Sequence, residues 1–177
     1  SNDFSLLNKA FDSLVPHNIT CPTCGAEHSC SRHAQYLRDF ICHSGSLSVH
    51  SVAVPRLICS SCGHTHAFLP GILIPHASYS LFFILKVLRA YFLKIDTIAA
   101  ICQQASISAS TLYHWLRLFS LHKQLWLGIL KDNSTGNNDF LSSILKQPAF
   151  PKRFFQQFRV SFLQNFPQRR FVTASGS

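Results

Sequence analysis

The feature that most constrains this chain is a pair of cysteine doublets. "CPTCG" occupies residues 21–25 and "CSSCG" occupies residues 59–63, so each doublet encloses two residues and is followed by glycine. Two such turns can supply the four thiolates that a tetrahedral metal ion takes. Cysteines buried simply as small hydrophobic residues would not explain the matching glycines, which allow tight backbone turns. We therefore predict a zinc site with four ligands: Cys21, Cys24, Cys59 and Cys62.

The 34 residues between the doublets have the pattern of a β-hairpin. Residues 35–42 and 46–59 read as strands, and "HSG" at 43–45 reads as the turn. The doublets and the hairpin together predict an enlarged zinc ribbon. A small sheet with little core can fold around a metal whose apparent binding energy is roughly 10–16 kcal/mol. Four thiolates leave no open coordination position, which indicates a structural site.

Other potential ligands lie near the doublets, and their role stays open at this point. His64 and His66 follow the second doublet, where they would pack on the ribbon, donate a hydrogen bond to a thiolate or bind the metal directly. Three readings stay open for the remaining potential ligands: they build a second metal site, one of them replaces a cysteine in the first site, or they are ordinary surface histidines and half-buried thiols. These residues are His28, Cys30, His33, Cys42 and His43.

Positive charge is concentrated after the cysteine-rich region. The chain has 16 Lys and Arg against 7 Asp and Glu, a net charge of +9. Residues 1–66 are neutral, whereas residues 67–130 carry +4 and residues 131–177 carry +5. This excess predicts a polyanionic partner, either nucleic acid or an acidic membrane surface. The most apolar run, 67–93, is interrupted by prolines and charges, so we expect no membrane span.

The middle of the chain reads as helical. After an extended connector at 67–78, Ser78 or Ser80 can cap a helix through "LFFILKVLRAYFL". That helix is apolar nearly all round, which predicts that it lies at the centre of a second core.

Two further helices match the helix-turn-helix pattern. Asp96 or Thr97 can cap the first, residues 105–108 form the turn, and Ser108 can cap the second. Ser106 stands where this turn usually has glycine. The alternative is two helices that simply pack in an all-α domain. In a helix-turn-helix, the second helix enters the DNA major groove. The side chains expected to contact DNA are Ser110, Thr111, Tyr113, His114 and Arg117.

Both ends of the chain also have helical periodicity. Residues 1–14 predict a docking or core helix, and residues 131–139 read as a polar linker. Beyond the linker, "FLSSILKQ" and "PKRFFQQFRVSFLQNF" read as helices, with Pro151 at a helix start. An aromatic stripe in the second is more typical of a core or partner-helix face than of a base-stacking platform; it comprises Phe154, Phe155, Phe158 and Phe162.

The predicted fold class is α+β, with a small zinc-ribbon β module followed by an all-α domain that contains the helix-turn-helix. We place the N-terminal helix and ribbon at 1–66, the helical domain at 67–130, and basic, aromatic C-terminal helices at 131–177.

Three motifs together resemble a known group of proteins. They are the "CPxCG" turn, the segment "RLICSSCGHTHAFLPGILIPH", and a helix of the form "S-x-S-T-L-Y-x-W-L". This combination is similar to an uncharacterised bacterial family that itself resembles the DNA-recognition end of insertion-sequence transposases, with a zinc ribbon and helix-turn-helix but no nuclease domain. The resemblance covers about residues 15–125 and implies the four cysteines as metal ligands.

The sequence argues against an enzyme. A transposase nuclease needs clustered carboxylates that hold two divalent metals, whereas this chain has one glutamate and six scattered aspartates. We expect a Zn²⁺-containing double-stranded-DNA-binding protein, with a protein adaptor for a transposase or transcription partner as the alternative. A metal-dependent nuclease is a third, weaker reading. Residues 1–20 lack the pattern of a signal peptide, so the expected location is cytoplasmic and nucleoid-associated.

Overall fold

The computed structural model describes residues 3–43, 47–132 and 134–165, without the side chains of residues 3–6, 42, 43 and 47. Two predicted features lie partly outside this range: the turn at 43–45, and the basic C-terminal segment, which includes Arg169 and Arg170. The fold is α+β, with a three-stranded antiparallel sheet and several helices. In chain order the elements are α1 (Asp3–Asp12), β1 (Cys30–His43), β2 (Leu47–Cys59), β3 (Thr65–Ala67), α2 (Leu81–Phe92), α3 (Ile98–Ala105), α4 (Ala109–Leu130), α5 (Asn137–Leu145) and α6 (Phe150–Phe158).

The long hairpin that the sequence predicts is present. β1 and β2 pair from Cys30 opposite Cys59 to His43 opposite Leu47, with one irregularity between Arg32 and Ala34. β3, which the sequence did not predict, pairs with the end of β2 nearest the second cysteine doublet and makes β2 the central strand. The hairpin therefore brings the second doublet beside the start of β1.

The sheet has two small hydrophobic clusters. One, beside α1, contains five buried residues: Leu7, Phe40, Val52, Val54 and Leu73. The other contains Leu14, Cys21, Cys30, Leu57 and Cys59, so three of its five buried residues are cysteines. Leu7 of α1 is buried in the first cluster and Phe11 packs against it. The N-terminal helix therefore has the core role, one of the two predicted for it.

Helices α2 to α6 and the residues that follow α6, called the helical half below, have a much larger core, with α2 at its centre. Ser80 caps α2 by accepting a hydrogen bond from the Phe83 N–H at 3.1 Å. Six of the twelve α2 residues are buried, as its apolar composition predicts: Leu81, Phe83, Ile84, Leu85, Val87 and Leu88. None of the helices within the described residues has both the length and the apolar character needed to cross a bilayer.

α5 and α6 contribute to the same core as α2 to α4. Phe154 is fully buried and Phe162 is 1% exposed, and their rings lie 5.1 Å apart. Phe155 remains 45% exposed. α6 ends at Phe158 because Arg159 adopts a left-handed conformation, with φ 55° and ψ 26°. Of the two roles expected for the aromatic stripe, core or partner-helix face, Phe154 and Phe162 have the core role. The stretch 151–166 was expected to be helical, whereas α6 ends at Phe158.

The connector joins the sheet to the helical half through hydrogen bonds and stacking. Ile41 N–H donates to the Ser78 carbonyl at 2.7 Å. The Arg38 guanidinium donates to the carbonyls of Ile74 at 2.5 Å and Ala77 at 2.7 Å. Burial lowers the pKa of Arg38 from its usual value. Tyr79 stacks on Phe83 and also meets Trp115 of α4 edge-on, at centroid distances of 5.3 and 5.0 Å.

Candidate metal centre and helix pair

The two cysteine doublets form the same backbone turn. The Cys21 carbonyl accepts from the Gly25 N–H at 2.9 Å, and the Cys59 carbonyl accepts from the Gly63 N–H at 2.8 Å. Both glycines have positive φ, 73° and 72°. A Cβ would meet no atom within 4 Å at either position, so the left-handed backbone, rather than space, is what requires glycine. The tight turn predicted from the matching glycines is confirmed.

These turns bring the four predicted ligands together. Their Sγ atoms all lie within 4.8 Å of one another, with Cys21 to Cys62 at 3.7 Å and Cys24 to Cys59 at 3.8 Å. Sulfurs placed tetrahedrally at a Zn–S distance of about 2.3 Å are separated by about 3.8 Å. The cluster therefore fits a single tetrahedral ion. Cys21 and Cys59 are buried, whereas Cys24 is exposed and Cys62 is half-buried.

The thiols of this cluster differ in their tendency to ionise. Desolvation opposes the Cys59 thiolate, but backbone N–H groups of Cys62 and Ser61 outweigh it and lower the pKa of Cys59 to about 6. For Cys62 the N–H of His64 favours the thiolate, yet desolvation and the neighbouring sulfurs raise its pKa to about 12. Four thiolates this close need a cation to be ionised together, which is the chemistry that a metal ion supplies.

Hydrogen bonds with neighbouring residues fix the positions of the two doublets. The Ser60 N–H donates to the Ser29 carbonyl at 2.8 Å, and the Ser61 hydroxyl donates to Ser29 Oγ at 3.0 Å. His17 Nδ1 donates to the His28 carbonyl at 2.8 Å, and His28 Nδ1 donates to the His17 carbonyl at 2.9 Å. These bonds tie the interior of the second doublet to Ser29 and join the segments on the two sides of the first doublet.

The structure distinguishes the roles of the two histidines after the second doublet. His66 Nε2 lies 3.4 Å from Cys21 Sγ, a hydrogen-bonding contact to a ligand sulfur. His64 Nδ1 instead lies 3.2 Å from the carbonyl of Cys62. Of the three roles left open by the sequence, hydrogen bonding to a thiolate describes His66.

Cys30, one of the additional potential ligands named from the sequence, lies beside the cluster and is not one of its four members. It is 1% exposed and lies opposite Cys59 across the hairpin. Desolvation, followed by the charges of Cys59 and Cys21, raises the pKa of the Cys30 thiol. No second group of three potential ligands occurs among the side chains that the structure describes. The side chains of Cys42 and His43 lie outside those residues.

The helix pair α3–α4 is connected by a tight, capped turn. Thr97, rather than Asp96, caps α3 by accepting from the Ala100 N–H at 3.2 Å. Ser106 ends α3 in the left-handed region, with φ 51° and ψ 45°. Ser108 caps α4 by accepting from the Thr111 N–H, also at 3.2 Å. The caps predicted at Thr97 and Ser108 are confirmed, and Ser106 adopts the conformation in which glycine is usual.

The predicted DNA-contacting residues of α4 divide into two groups. Ser110, Tyr113 and Arg117 are exposed and, being three and four residues apart, share one helical face. Thr111 and His114 are half-buried. On the opposite side, Leu112 and Trp115 enter the core. This division leaves one polar and aromatic face of α4 accessible over more than two turns.

Comparison with known proteins gives a family match. A family model described as a domain of unknown function (DUF6431) matches residues 21–115. The match runs from the first cysteine of the cluster into α4 and covers more than half of the 177 residues, so the chain belongs to this family. No curated protein and no solved structure matches the chain.

Proposed function

We propose that this member of the DUF6431 family is a zinc-containing protein that binds double-stranded DNA without catalysing a reaction on it. In this proposal the sheet is a zinc ribbon and the α3–α4 pair is a helix-turn-helix, comparable to the recognition part of a transposase or a regulator. The expected place of action is the bacterial nucleoid.

The observation that carries the proposal is the accessible face of α4. Ser110, Tyr113 and Arg117 lie exposed on this face. Residues 97–130, which include α3 and α4, contain no Asp or Glu. A carboxylate-free helix with an exposed arginine and a chain charge of +9 is suited to approach a phosphate backbone.

The connection between the helices supports this proposal. α3 has eight residues, three residues separate it from α4, and Ser106 turns the chain in a left-handed conformation. Ile101 and Ala105 of α3 are buried in the same cluster as Leu112 and Trp115 of α4. The pair is therefore packed on its inner side, which leaves the first turns of α4 free to enter a groove.

In the proposal the metal has a structural role. Cys21, Cys24, Cys59 and Cys62 would all bind Zn²⁺, and four thiolates leave no position for a water or substrate. The ribbon would then be a stable platform that is joined to the helical half through Arg38 and the connector. The ribbon can position α4 in this way without contacting DNA itself.

A salt series of DNA affinity tests the proposal. We expect the full-length protein to bind mixed-sequence duplex DNA, with affinity that falls about tenfold or more between roughly 50 and 200 mM salt as counterions are released. Arg117→Ala should weaken binding to all sequences and make the logarithmic salt slope shallower by about one. The matched control is Lys9→Ala, the same loss of charge on α1. Absence of duplex binding at low salt would overturn the proposal.

One observation favours a protein adaptor as the second candidate. Leu37 and Val49 are 75% and 68% exposed, and the hairpin register places them on the same outward face of the sheet. Exposed aliphatic residues on a sheet face are suited to a protein partner. Co-purification of a stable hetero-complex that is lost in Leu37→Glu, together with no DNA affinity, would favour this candidate over the first.

A further inference from the structure

The first two turns of α4 lack the side chains that make bidentate contacts to bases. Residues 109–116, "ASTLYHWL", contain no Arg, Lys, Asn, Gln, Asp or Glu. Arg and Lys are the usual partners of guanine in the major groove, Asn and Gln those of adenine, and Asp and Glu accept from cytosine. This part of α4 therefore offers none of the three hydrogen-bonding pairs.

The hydroxyl groups of this stretch are engaged at the helix cap. Ser108 Oγ accepts from the Thr111 N–H at 3.2 Å, and it lies 2.8 Å from Ser110 Oγ and 2.9 Å from Thr111 Oγ1. One hydroxyl has one donor and two acceptor sites, so these three contacts use the full capacity of Ser108. Of the Ser110 and Thr111 hydroxyls, one donates to Ser108 Oγ and the other accepts from it, so both side chains are turned toward the cap.

Two exposed residues of this stretch present apolar surface to the solvent. Ala109 is exposed at the first position of α4, and Tyr113 is 52% exposed one turn later. Thymine is the base that presents an apolar group, its C5 methyl, in the major groove, and alanine, threonine and aromatic side chains make contact with it.

We infer that α4 recognises A·T-rich duplex DNA by packing Ala109 and Tyr113 against thymine methyl groups, an inference that rests on the proposed function. Arg117 lies further along the same face and supplies a phosphate contact that is independent of sequence. Each methyl group removed from water is worth about fourfold in affinity. Contact with one or two methyl groups thus predicts a preference of about fourfold to fifteenfold.

Two pairs of synthetic duplexes test the inference with the full-length protein. Alternating poly(dA-dT) and poly(dA-dU) differ only by the major-groove methyl. Poly(dG-dC) with 5-methylcytosine and without it adds the same group to the other base pair. Affinities measured by fluorescence competition at one fixed salt concentration should be about fourfold to fifteenfold higher for dT than for dU. The methylated dG-dC duplex should likewise bind more tightly than the unmethylated one.

Two variants assign the effect to α4. In Tyr113→Ala the ratio of the affinities for poly(dA-dT) and poly(dA-dU) should be close to one, because the exposed ring is removed while the core is unchanged. Arg117→Ala, the matched control, should weaken binding to both duplexes while leaving the ratio unchanged.

The outcomes separate this inference from the proposed function. Salt-dependent binding with equal affinity for dT and dU would overturn the inference and leave the proposed function standing. A ratio that persists in Tyr113→Ala would overturn the assignment to α4. Failure to bind any of the four duplexes at low salt would overturn both.

Discussion

The sheet and the helical half obtain their stability from different sources. The helical half has one cluster of 22 buried residues, and its aromatic rings from α4, α5, α6 and the residues after α6 meet edge-on and stacked. The sheet has two clusters of five, and in the one beside the doublets three of the five are cysteines. This difference indicates that hydrophobic burial stabilises the helical half, whereas the end of the sheet near the doublets has a much smaller core. Under the proposed function, a metal bound to the four cysteines would stabilise that end.

Loss of one ligand should have the largest effect and should act on one region only. Cys59→Ser removes a thiolate from the buried side of the cluster, and structural zinc contributes roughly 10–16 kcal/mol of apparent binding energy. We expect the sheet to unfold while the helices persist. Amide exchange should rise over β1, β2 and β3, with the helical signal in circular dichroism nearly unchanged.

The matched control for this change is Cys102→Ser. Cys102 is a half-buried cysteine of α3 that lies outside the cluster. Cys102→Ser should leave both the sheet and the metal content intact. Equal effects of the two substitutions on the sheet would show that the sheet does not depend specifically on the cysteine cluster.

Acid should destabilise the helical half through His122. This histidine is fully buried on α4, accepts from the Leu163 N–H at 2.9 Å through Nδ1, and stacks on Phe154. Desolvation lowers its pKa to about 4, below the value near 6.5 expected in the unfolded chain. Its contribution is therefore complete above about pH 6.5 and is lost as the pH falls toward 4, by about 3 kcal/mol in total.

Denaturant unfolding followed at several pH values checks this prediction. The free energy of unfolding of the helical half should fall between pH 6.5 and 4. In His122→Gln the free energy of unfolding should change less over the same pH interval, because glutamine does not titrate. His114→Gln, on the same helix, should retain the full slope. An identical slope in all three proteins would rule out His122 as the cause.

Arg38 should control how strongly the two halves are coupled. Its guanidinium donates to the carbonyls of Ile74 and Ala77 in the connector, and hydrogen bonds from a charged group are worth about 1.5–3 kcal/mol. Arg38→Met should cost about 2 kcal/mol and should separate the unfolding transitions of the sheet and helices in calorimetry. Arg32→Met, an exposed position on the same strand, is the control and should cost little. A single unchanged transition in Arg38→Met would show that the halves are joined elsewhere.

The smallest expected effect is at the turn between α3 and α4. Ser106 has φ 51°, a conformation that glycine adopts without a steric penalty. Ser106→Gly should raise the free energy of unfolding of the helical half by up to about 1 kcal/mol. Ser120→Gly, at an exposed position inside α4, should lower it by about 0.5 kcal/mol. Destabilisation by both would mean that Ser106 is held by contacts other than its backbone conformation.

Patterns that repeat over several residues made most of the fold predictable. The second strand was expected at 46–59 and lies at Leu47–Cys59, because its apolar residues alternate and a cysteine doublet ends it. The cap of α4 at Ser108 was predicted from a serine that precedes apolar periodicity. The same pattern left Ser78 and Ser80 as alternatives for α2, and Ser80 is the cap. The four cysteines were identified because their spacing is specific for a metal.

Features that depend on tertiary contacts were not predictable in this way. The first strand begins at Cys30 rather than at 35 because its early residues pair with β2 although their side chains are exposed. β3 has three residues, too few for a pattern. Arg38 within a strand reads as a solvent-facing charge, whereas its partners are connector carbonyls 36 and 39 residues away. The end of α6 at Phe158 could not be read from the sequence, because apolar residues continue at helical spacing beyond it.

X-ray absorption at the zinc edge, with metal content measured on the same reduced protein, tests whether the four cysteines form a closed zinc site that stabilises the sheet. We expect one zinc per chain, surrounded by four sulfurs at about 2.3 Å and no nitrogen, with His66 outside the coordination shell. A metal-free protein whose sheet shows full amide protection would show that the sheet does not depend on the metal. A zinc with a nitrogen ligand would also contradict the expectation, because the site would then not be a closed four-thiolate centre.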